Sequence, residues 1–216
     1  MDYYPATYSD AHGSEVTTIA NDSETLRLLL RGVEFVGRDF DSLEPTCAAP
    51  EQLRQFTLNQ GCLCSCRIEC RISVPVHDGG KLLEGSLSVE LVLGDAAPNG
   101  GLDREKLQIV LEYNSQQFDG CGTSGWFEDE LLGIQSQMPE EVFIKACINC
   151  LYSDYSPYGH GLFGSMMCFR NLKAEYLKVT TKEEFWSVHG RQDRFVQETY
   201  LCPDFERRIP GTGYRE

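Results

Sequence analysis

The sequence has no long apolar run, and this absence excludes a membrane-spanning helix. Its longest uninterrupted apolar stretch, residues 166–169, is far shorter than the roughly 18 residues that such a helix needs. The first ten residues also lack the basic start and the apolar stretch of a secretory signal. We therefore expect a cytoplasmic protein without membrane contact, in a reducing compartment that keeps its ten cysteines as thiols or metal ligands.

Basic residues are scarce. The chain has 19 Lys and Arg residues against 33 Asp and Glu residues, which gives a formal net charge of −14 at pH 7. Proteins that bind nucleic acids concentrate Lys and Arg on one surface, because phosphate contacts supply much of their affinity. The only basic segment, residues 206–210, is short. We therefore predict that nucleic acid is not a partner.

Motifs of well-known enzymes are also missing. The sequence contains no G-x-S-x-G elbow, no phosphate-binding P-loop and no H-E-x-x-H zinc motif. The acidic run at residues 128–130 falls in the first turn of a predicted helix, where the helix dipole already explains it. The composition therefore favours a protein without enzymatic activity. The alternative is a hydrolase or thiol-dependent enzyme that uses His160, Asp154 or a reactive cysteine such as Cys121.

What the sequence does contain is a strong period-two pattern. From residue 62 to residue 76, apolar side chains occupy nearly every even position and polar side chains occupy most odd ones. This alternation predicts a strand with one buried face. The turn sequence His-Asp-Gly-Gly at residues 77–80 and a second alternating run at residues 83–93 predict a long β-hairpin, and residues 107–113 predict a third strand.

The chain as a whole predicts an α+β fold: an N-terminal antiparallel β-sheet or sandwich, followed by a smaller mixed α/β part with a zinc knuckle. We expect a loosely ordered leader at residues 1–23, a β-rich region at 24–120 and a zinc-stabilised region at 121–216, packed as one unit. In the last region, Ser124 is a candidate cap for a helix that extends to Pro139. Thr181 and Glu184 form a capping-box pattern that predicts a second helix up to about His189. Short strands are predicted at 142–147, 166–170 and 175–179.

One group of cysteines, Cys62, Cys64, Cys66 and Cys70, lies on the predicted hairpin. Alternate side chains on one strand face are about 6.6–7 Å apart. Thiolates that share one zinc ion at roughly 2.3 Å must be closer together than this. We therefore interpret this group as small buried side chains of the core.

A second group follows the predicted strand at 142–147. We call it the C-terminal cysteine group: Cys147, Cys150, Cys168 and Cys202. A C-x2-C pair in a tight turn is the common half of a structural zinc site, so we predict that these four residues bind Zn²⁺, with Cys121 and His160 as reserve ligands. Two alternatives stay open. A redox pair would need a helix after its first cysteine, whereas residues 151–159 have turn composition; the thiols could also be unligated core residues.

The segment after the C-x2-C pair, residues 152–163, is rich in aromatic residues and glycine, and we call it the aromatic loop. Tyrosines on a glycine-bearing loop are common in recognition surfaces, because they offer a large contact area at low entropic cost. The predicted ligand-binding residues are Tyr152, Asp154, Tyr155, Tyr158 and His160. The alternative is that the tyrosines close a small core above the metal.

Three segments carry a resemblance to a known family: ACINCLYSDYSPYGHGLFG at residues 146–164, MCFR at 167–170 and FVQETYLCPDFERRIPGTGYR at 195–215. On these segments the chain resembles an uncharacterised bacterial family, a domain of unknown function, mainly over residues 120–216. The resemblance implies a bacterial cytosolic setting and no particular activity. We expect a zinc-stabilised binding protein that recognises a protein partner or a small ligand. The other non-enzymatic alternative is an immunity-type antagonist of another bacterial protein.

Overall fold

The structure, a computed structural model, describes residues 1–215, and it is mostly β. The strands are β1 (Asp2–Asp10), β2 (Gly13–Asn21), β3 (Leu26–Leu30), β4 (Val33–Gly37), β5 (Glu44–Pro45), β6 (Thr57–Asn59), β7 (Cys62–Cys64), β8 (Cys66–Asp78), β9 (Lys81–Leu93), β10 (Glu105–Tyr113), β11 (Gln116–Asp119), β12 (Phe143–Ile144), β13 (Ser153–Asp154), β14 (Met166–Cys168) and β15 (Arg194–Val196). The helices are α1 (Pro50–Leu53), α2 (Phe127–Gln137), α3 (Lys173–Tyr176) and α4 (Lys182–Phe185).

One large antiparallel sheet dominates the fold. Its strand order is β11-β10-β9-β8-β1-β2-β3-β4-β5, and β12 pairs with the far end of β8. Two small sheets, β13-β14-β15 and β6-β7, complete the strands. The predicted N-terminal antiparallel sheet is therefore confirmed. The smaller part contains only short helices, and among residues 1–215 none is long and apolar enough to cross a bilayer.

The central hairpin follows from the period-two pattern. Along β8 the residues at even positions from Cys66 to Val76 are buried, and they face the core. Gly79 and Gly80 have φ angles of +54° and +81°, which are left-handed conformations that suit glycine, and they close the turn to β9. The strand does not continue back to Cys62, because Ser65 has a φ of +50° and separates β7 from β8.

The N-terminal segment differs from the expectation of a loosely ordered leader. Residues 1–23 contain the hairpin of β1 and β2, and β1 lies inside the large sheet between β2 and β8. Tyr4, Ala6 and Tyr8 bury alternate positions of β1 against the core. The alternation is inconspicuous in the sequence because the buried positions hold two tyrosines and an alanine instead of large aliphatic residues.

The smaller part agrees with the sequence at the start of α4 and differs in part elsewhere. Helix α2 forms where predicted, although it begins at Phe127, with Trp126 as its N-cap. Helix α4 has both hydrogen bonds of the Thr181–Glu184 capping box, although it ends at Phe185. The strand predicted at 175–179 is wrong. This region lies at the end of helix α3, because Tyr176 and Val179, three positions apart, both pack into one core.

The buried apolar side chains form two hydrophobic cores. The main core fills the space between one face of the large sheet and α2. The second core lies under α3 and α4, and it contains Cys150, Leu151, Tyr152, Met167, Phe169, Tyr176, Val179, Phe185 and Val188. The aromatic loop and the C-terminal cysteine group lie where these two cores meet.

Candidate functional site

The C-terminal cysteine group is gathered by short elements that pair with one another. Cys147 opens a 3-10 turn, and the backbone N–H of Cys150 donates to its carbonyl oxygen at 3.0 Å, which closes the C-x2-C turn. Cys168 ends β14, and the backbone N–H of Cys147 donates to the carbonyl oxygen of Tyr200, two residues before Cys202. All four side chains are buried. Three of them belong to the main core, and Cys150 belongs to the second core.

The four thiols are close enough to affect one another's ionisation. Burial raises the pKa of Cys147, and thiolate charge on Cys150, Cys202 or Cys168 would raise it further. Burial also raises the pKa of Cys168, whereas the backbone N–H of Arg170 lowers it. No disulfide joins them, and all four are free thiols. Within residues 1–215, however, no three or more His, Cys, Asp or Glu side chains are positioned to hold a metal ion as they stand.

Three of the predicted ligand-binding residues are part of the protein interior. Tyr152, Asp154 and Tyr155 are only 7%, 2% and 5% exposed. The Asp154 carboxylate accepts hydrogen bonds from the Tyr176 hydroxyl at 2.7 Å and from the backbone N–H of Tyr155 at 2.8 Å. Burial and these hydrogen bonds therefore hold this part of the loop in the protein interior.

Two buried carboxylates hold the far end of the aromatic loop, and the sequence did not identify either. Asp39 accepts from the backbone N–H of Phe163 at 3.0 Å, and Glu198 accepts from that of Gly164 at 2.8 Å and from the Tyr155 hydroxyl at 2.9 Å. Burial raises the pKa of Glu198 to about 7 and, with the nearby charge of Asp41, that of Asp39 to about 8. Neither residue has a local signal in the sequence, since Asp39 follows Arg38 and Glu198 lies between Gln197 and Thr199.

His160 is half-buried and lies beside a carboxylate. Its Nε2 is 3.7 Å from Glu128 Oε2, and its ring packs on Tyr155 and Trp126 with centroid distances of 4.3 and 4.7 Å. Among residues 1–215, His160 has no hydrogen bond to Asp154 or to a thiol. Cys121 donates instead to Glu130 at 2.8 Å. The residues suggested for catalysis are therefore not brought together as a nucleophile and its base.

Tyr158 is the exposed member of the loop. It is 43% exposed, and its ring lies 4.6 Å from that of Trp186, which is 61% exposed. His189 lies 5.1 Å from Trp186, and the Lys182 ammonium group lies 4.5 Å from the Tyr158 ring centroid. We call Tyr158, Trp186 and His189 the aromatic patch. The sequence indicated Tyr158 alone, because Trp186 and His189 approach it only through the packing of α4.

Gly164 allows the loop to approach the large sheet. Its φ is +74°, and a Cβ atom there would lie 2.9 Å from the carbonyl oxygen of Arg38. We expect Gly164→Ala to lower the free energy of unfolding by roughly 2–4 kcal/mol, because it adds a backbone clash to the left-handed conformation. Gly122→Ala is the matched control, since its φ is +67° with open space around it. The free energy of unfolding of both variants is measured by urea unfolding. An equal loss in Gly164→Ala and Gly122→Ala would contradict the close approach at Gly164.

Comparison with known proteins identifies a family without a known role. A model described as a family of unknown function, DUF6304, matches residues 2–153. This range includes the large sheet, α2 and the C-x2-C pair, whereas most of the motif residues that carried the resemblance lie beyond it. No curated protein and no solved structure matches the chain. The family model covers more than half of the sequence, so the resemblance is confirmed, and the chain belongs to DUF6304, a family of unknown function.

Proposed function

We propose that this protein is a zinc-stabilised binding protein of the bacterial cytoplasm, and that it recognises a protein partner through the aromatic patch. The observation that carries the proposal is the exposure of Tyr158 and Trp186, at 43% and 61%, with their ring centroids 4.6 Å apart. Exposed Trp and Tyr side chains that are held in place lose little entropy on binding and often dominate the affinity of an interface.

The proposed zinc site is the C-terminal cysteine group. Four thiolates are the donor set that structural zinc prefers. The group joins the main core to the second core, so a zinc ion bound there would cross-link the two. The backbone N–H of Arg170 and the guanidinium of Arg194 both favour thiolate at this site. Rotation of the cysteine side chains about χ1 would have to bring the sulfurs to the roughly 2.3 Å zinc–sulfur distance.

The support of the aromatic patch depends on this region. Tyr158 follows the C-x2-C turn by eight residues, and its hydroxyl donates to the backbone carbonyl of Lys182 at 3.2 Å. Lys182 begins α4, whose Phe185 lies in the second core. Stabilising the junction of the two cores would therefore keep the three rings of the patch in one arrangement, which lowers the entropic cost of binding.

The test of the recognition surface is Trp186→Ala, with Tyr3→Ala as control. Tyr3 is an aromatic residue of β1 that is 65% exposed and lies outside the patch. We expect partners captured from the bacterial host by wild type to bind Trp186→Ala at least about 30-fold more weakly, the loss of a central interface residue. Tyr3→Ala should bind like wild type.

Trp186 fluorescence gives an independent measurement of the same contact. In a Trp126→Phe background Trp186 is the only tryptophan, because the chain has two. The emission should shift to shorter wavelength when the purified partner covers the ring. Binding without a shift, together with equal affinities of the Trp186→Ala and Tyr3→Ala variants, would contradict recognition through the patch.

A further inference from the structure

A small cavity opens where the large sheet meets strand β15. It has a volume of about 140 Å³ and lies between the β2–β3 turn, the segment after β4, the end of the aromatic loop and β15. Its lining residues are Ser23, Glu24, Arg38, Gly164, Arg194 and Phe195. The cavity is separate from the aromatic patch, since none of its lining residues belongs to that patch.

Two arginines line this cavity, the exposed Arg38 and the half-buried Arg194, and neither has an ion-pair partner within residues 1–215. Each lies over an aromatic ring instead: Arg38 is 5.7 Å from the centroid of Phe195, and Arg194 is 4.6 Å from that of Tyr200. A guanidinium stacked on a ring keeps its N–H groups, which lie in its plane, available for an acceptor. Two such groups at one cavity can donate hydrogen bonds to the same anion.

A second observation points to a missing acceptor. The Nε atom of Arg194 is buried and has no hydrogen-bond partner. Leaving a buried donor unsatisfied is unfavourable, and most such groups in folded proteins have a partner, an ordered water or a ligand. This position lies in an acidic protein with a formal net charge of −14, in which carboxylates are abundant as potential partners. Even so, Arg194 forms no ion pair with a carboxylate among residues 1–215.

Hydrogen bonds hold two segments that border the cavity in place. Below the β2–β3 turn, Asn21 and Gln197 form a reciprocal amide pair, with hydrogen bonds of 2.6 and 2.9 Å. Asn21 also accepts the backbone N–H of Ser23, whose φ of +77° is unusual for a residue with a side chain. A pre-formed site of this kind binds a small ligand without a large entropic cost.

Three carboxylates lie near the cavity and would oppose an anion. Glu24 lines it but is exposed, so its side chain can turn into solvent. Asp39, next to Arg38, and Glu198, which holds Gly164, are buried. Burial raises the pKa of Glu198 to about 7 and that of Asp39 to about 8, so both carry less than a full negative charge at neutral pH.

We infer that this cavity is an anion-binding site, in which Arg38 and Arg194 hold the phosphate or carboxylate group of a small ligand. Neither the family description nor the proposed binding surface includes such a site, and the inference does not depend on zinc. Arg194 also lies near Cys147 and Cys168, so its replacement would disturb the cysteine group as well. Arg38 is therefore the residue to change.

The test uses the full chain with inorganic phosphate and, separately, acetate, at constant ionic strength set with chloride. Backbone amide resonances of Ser23, Gly164 and Phe195 are followed by NMR during each titration. We expect saturable shifts at these amides and roughly tenfold weaker binding in Arg38→Gln, the loss of one charged hydrogen-bonding group. Arg54→Gln, which changes an exposed arginine outside the cavity, should bind like wild type.

The two ligands distinguish the source of the anionic group. Saturation by phosphate but not acetate would support the site and assign it to a phosphate-bearing ligand, and the reverse result would assign it to a carboxylate. Arg38→Lys keeps the charge but loses the planar fork, and it should lie between wild type and Arg38→Gln. The absence of saturable shifts with both ligands, or equal binding by Arg38→Gln and Arg54→Gln, would overturn the inference.

Discussion

Purified protein is expected to contain one equivalent of zinc, and Cys147→Ser is expected to lose it and to lower the free energy of unfolding by more than about 4 kcal/mol. Losses of this size are exceptional for single substitutions and are typical of losing a structural metal. The reason lies in the position of Cys147, which is buried among three other thiols where the two cores meet. Without the ion, only side-chain packing and hydrogen bonds would join the cores.

Cys70→Ser is the matched control for this experiment. Cys70 is as buried as Cys150 and Cys202, at 5% exposure, but it lies on β8 and faces the main core. Its replacement by serine places a hydroxyl in an apolar site, for which we expect a loss of about 1–3 kcal/mol and no change in zinc content. Zinc content is measured by elemental analysis, and stability by urea unfolding with and without a chelator.

Two results would count against the zinc site. One is metal-free protein that unfolds at the same urea concentration whether or not zinc has been supplied. The other is an equal loss of stability in Cys147→Ser and Cys70→Ser with unchanged metal content. In either case the C-terminal cysteine group would consist of ordinary buried thiols, and the two cores would be joined by packing and hydrogen bonds without a metal ion.

The second large effect is a pH dependence that Glu198→Gln should remove in part. The pKa of Glu198 is about 7 in the folded protein against an ordinary value of 4.5. Between these values the folded state keeps a proton that the unfolded chain has released. The free energy of unfolding therefore falls as pH rises through this window, by at most about 1.4 kcal/mol per pH unit and about 3 kcal/mol in total, and stays level above it.

Glutamine suits this position geometrically. Its amide oxygen can accept from the backbone N–H of Gly164, while its amino group faces the oxygen of Tyr155, which then acts as acceptor. Glu198→Gln should therefore become more stable relative to wild type as pH rises from 5 to 8. Part of the pH dependence should remain, because Asp39 has a pKa raised to about 8 and contributes with the same sign.

Urea unfolding at several pH values between 5 and 8 measures this difference. Glu183→Gln changes an exposed carboxylate of α4 and serves as the control, which should follow wild type at every pH. A constant difference between Glu198→Gln and wild type over the whole range would show that the buried carboxylate does not hold an additional proton. The hydrogen bond between Glu198 and the loop would then be a charged one at neutral pH.

Local patterns were sufficient for much of the fold. The alternation from Cys66 to Val76 and the Gly79–Gly80 turn predicted the central hairpin, because strand periodicity and turn conformation depend on adjacent residues. The Thr181–Glu184 capping box predicted the start of α4 for the same reason. These features involve atoms that are at most a few positions apart in the chain.

The candidate site, by contrast, is formed by residues that are far apart in the sequence. The C-x2-C pair was visible in the sequence, but its approach to Cys168 and Cys202 results from the pairing of short strands and turns. Tyr155 could be assigned to the interior only once Glu198, 43 positions later, was known to accept its hydroxyl hydrogen. Likewise, the aromatic patch joins Tyr158 to Trp186 through the packing of α4.

The sequence by itself determined the period-two sheet and the capping box of α4. Only the tertiary structure decided that the N-terminal hairpin is central, that most of the predicted ligand residues are buried and that Arg38 and Arg194 share a cavity. The physical reason is that periodicity and caps are local properties of the backbone. Burial, by contrast, is set by which distant surfaces cover a residue, and no single segment of the chain contains that information.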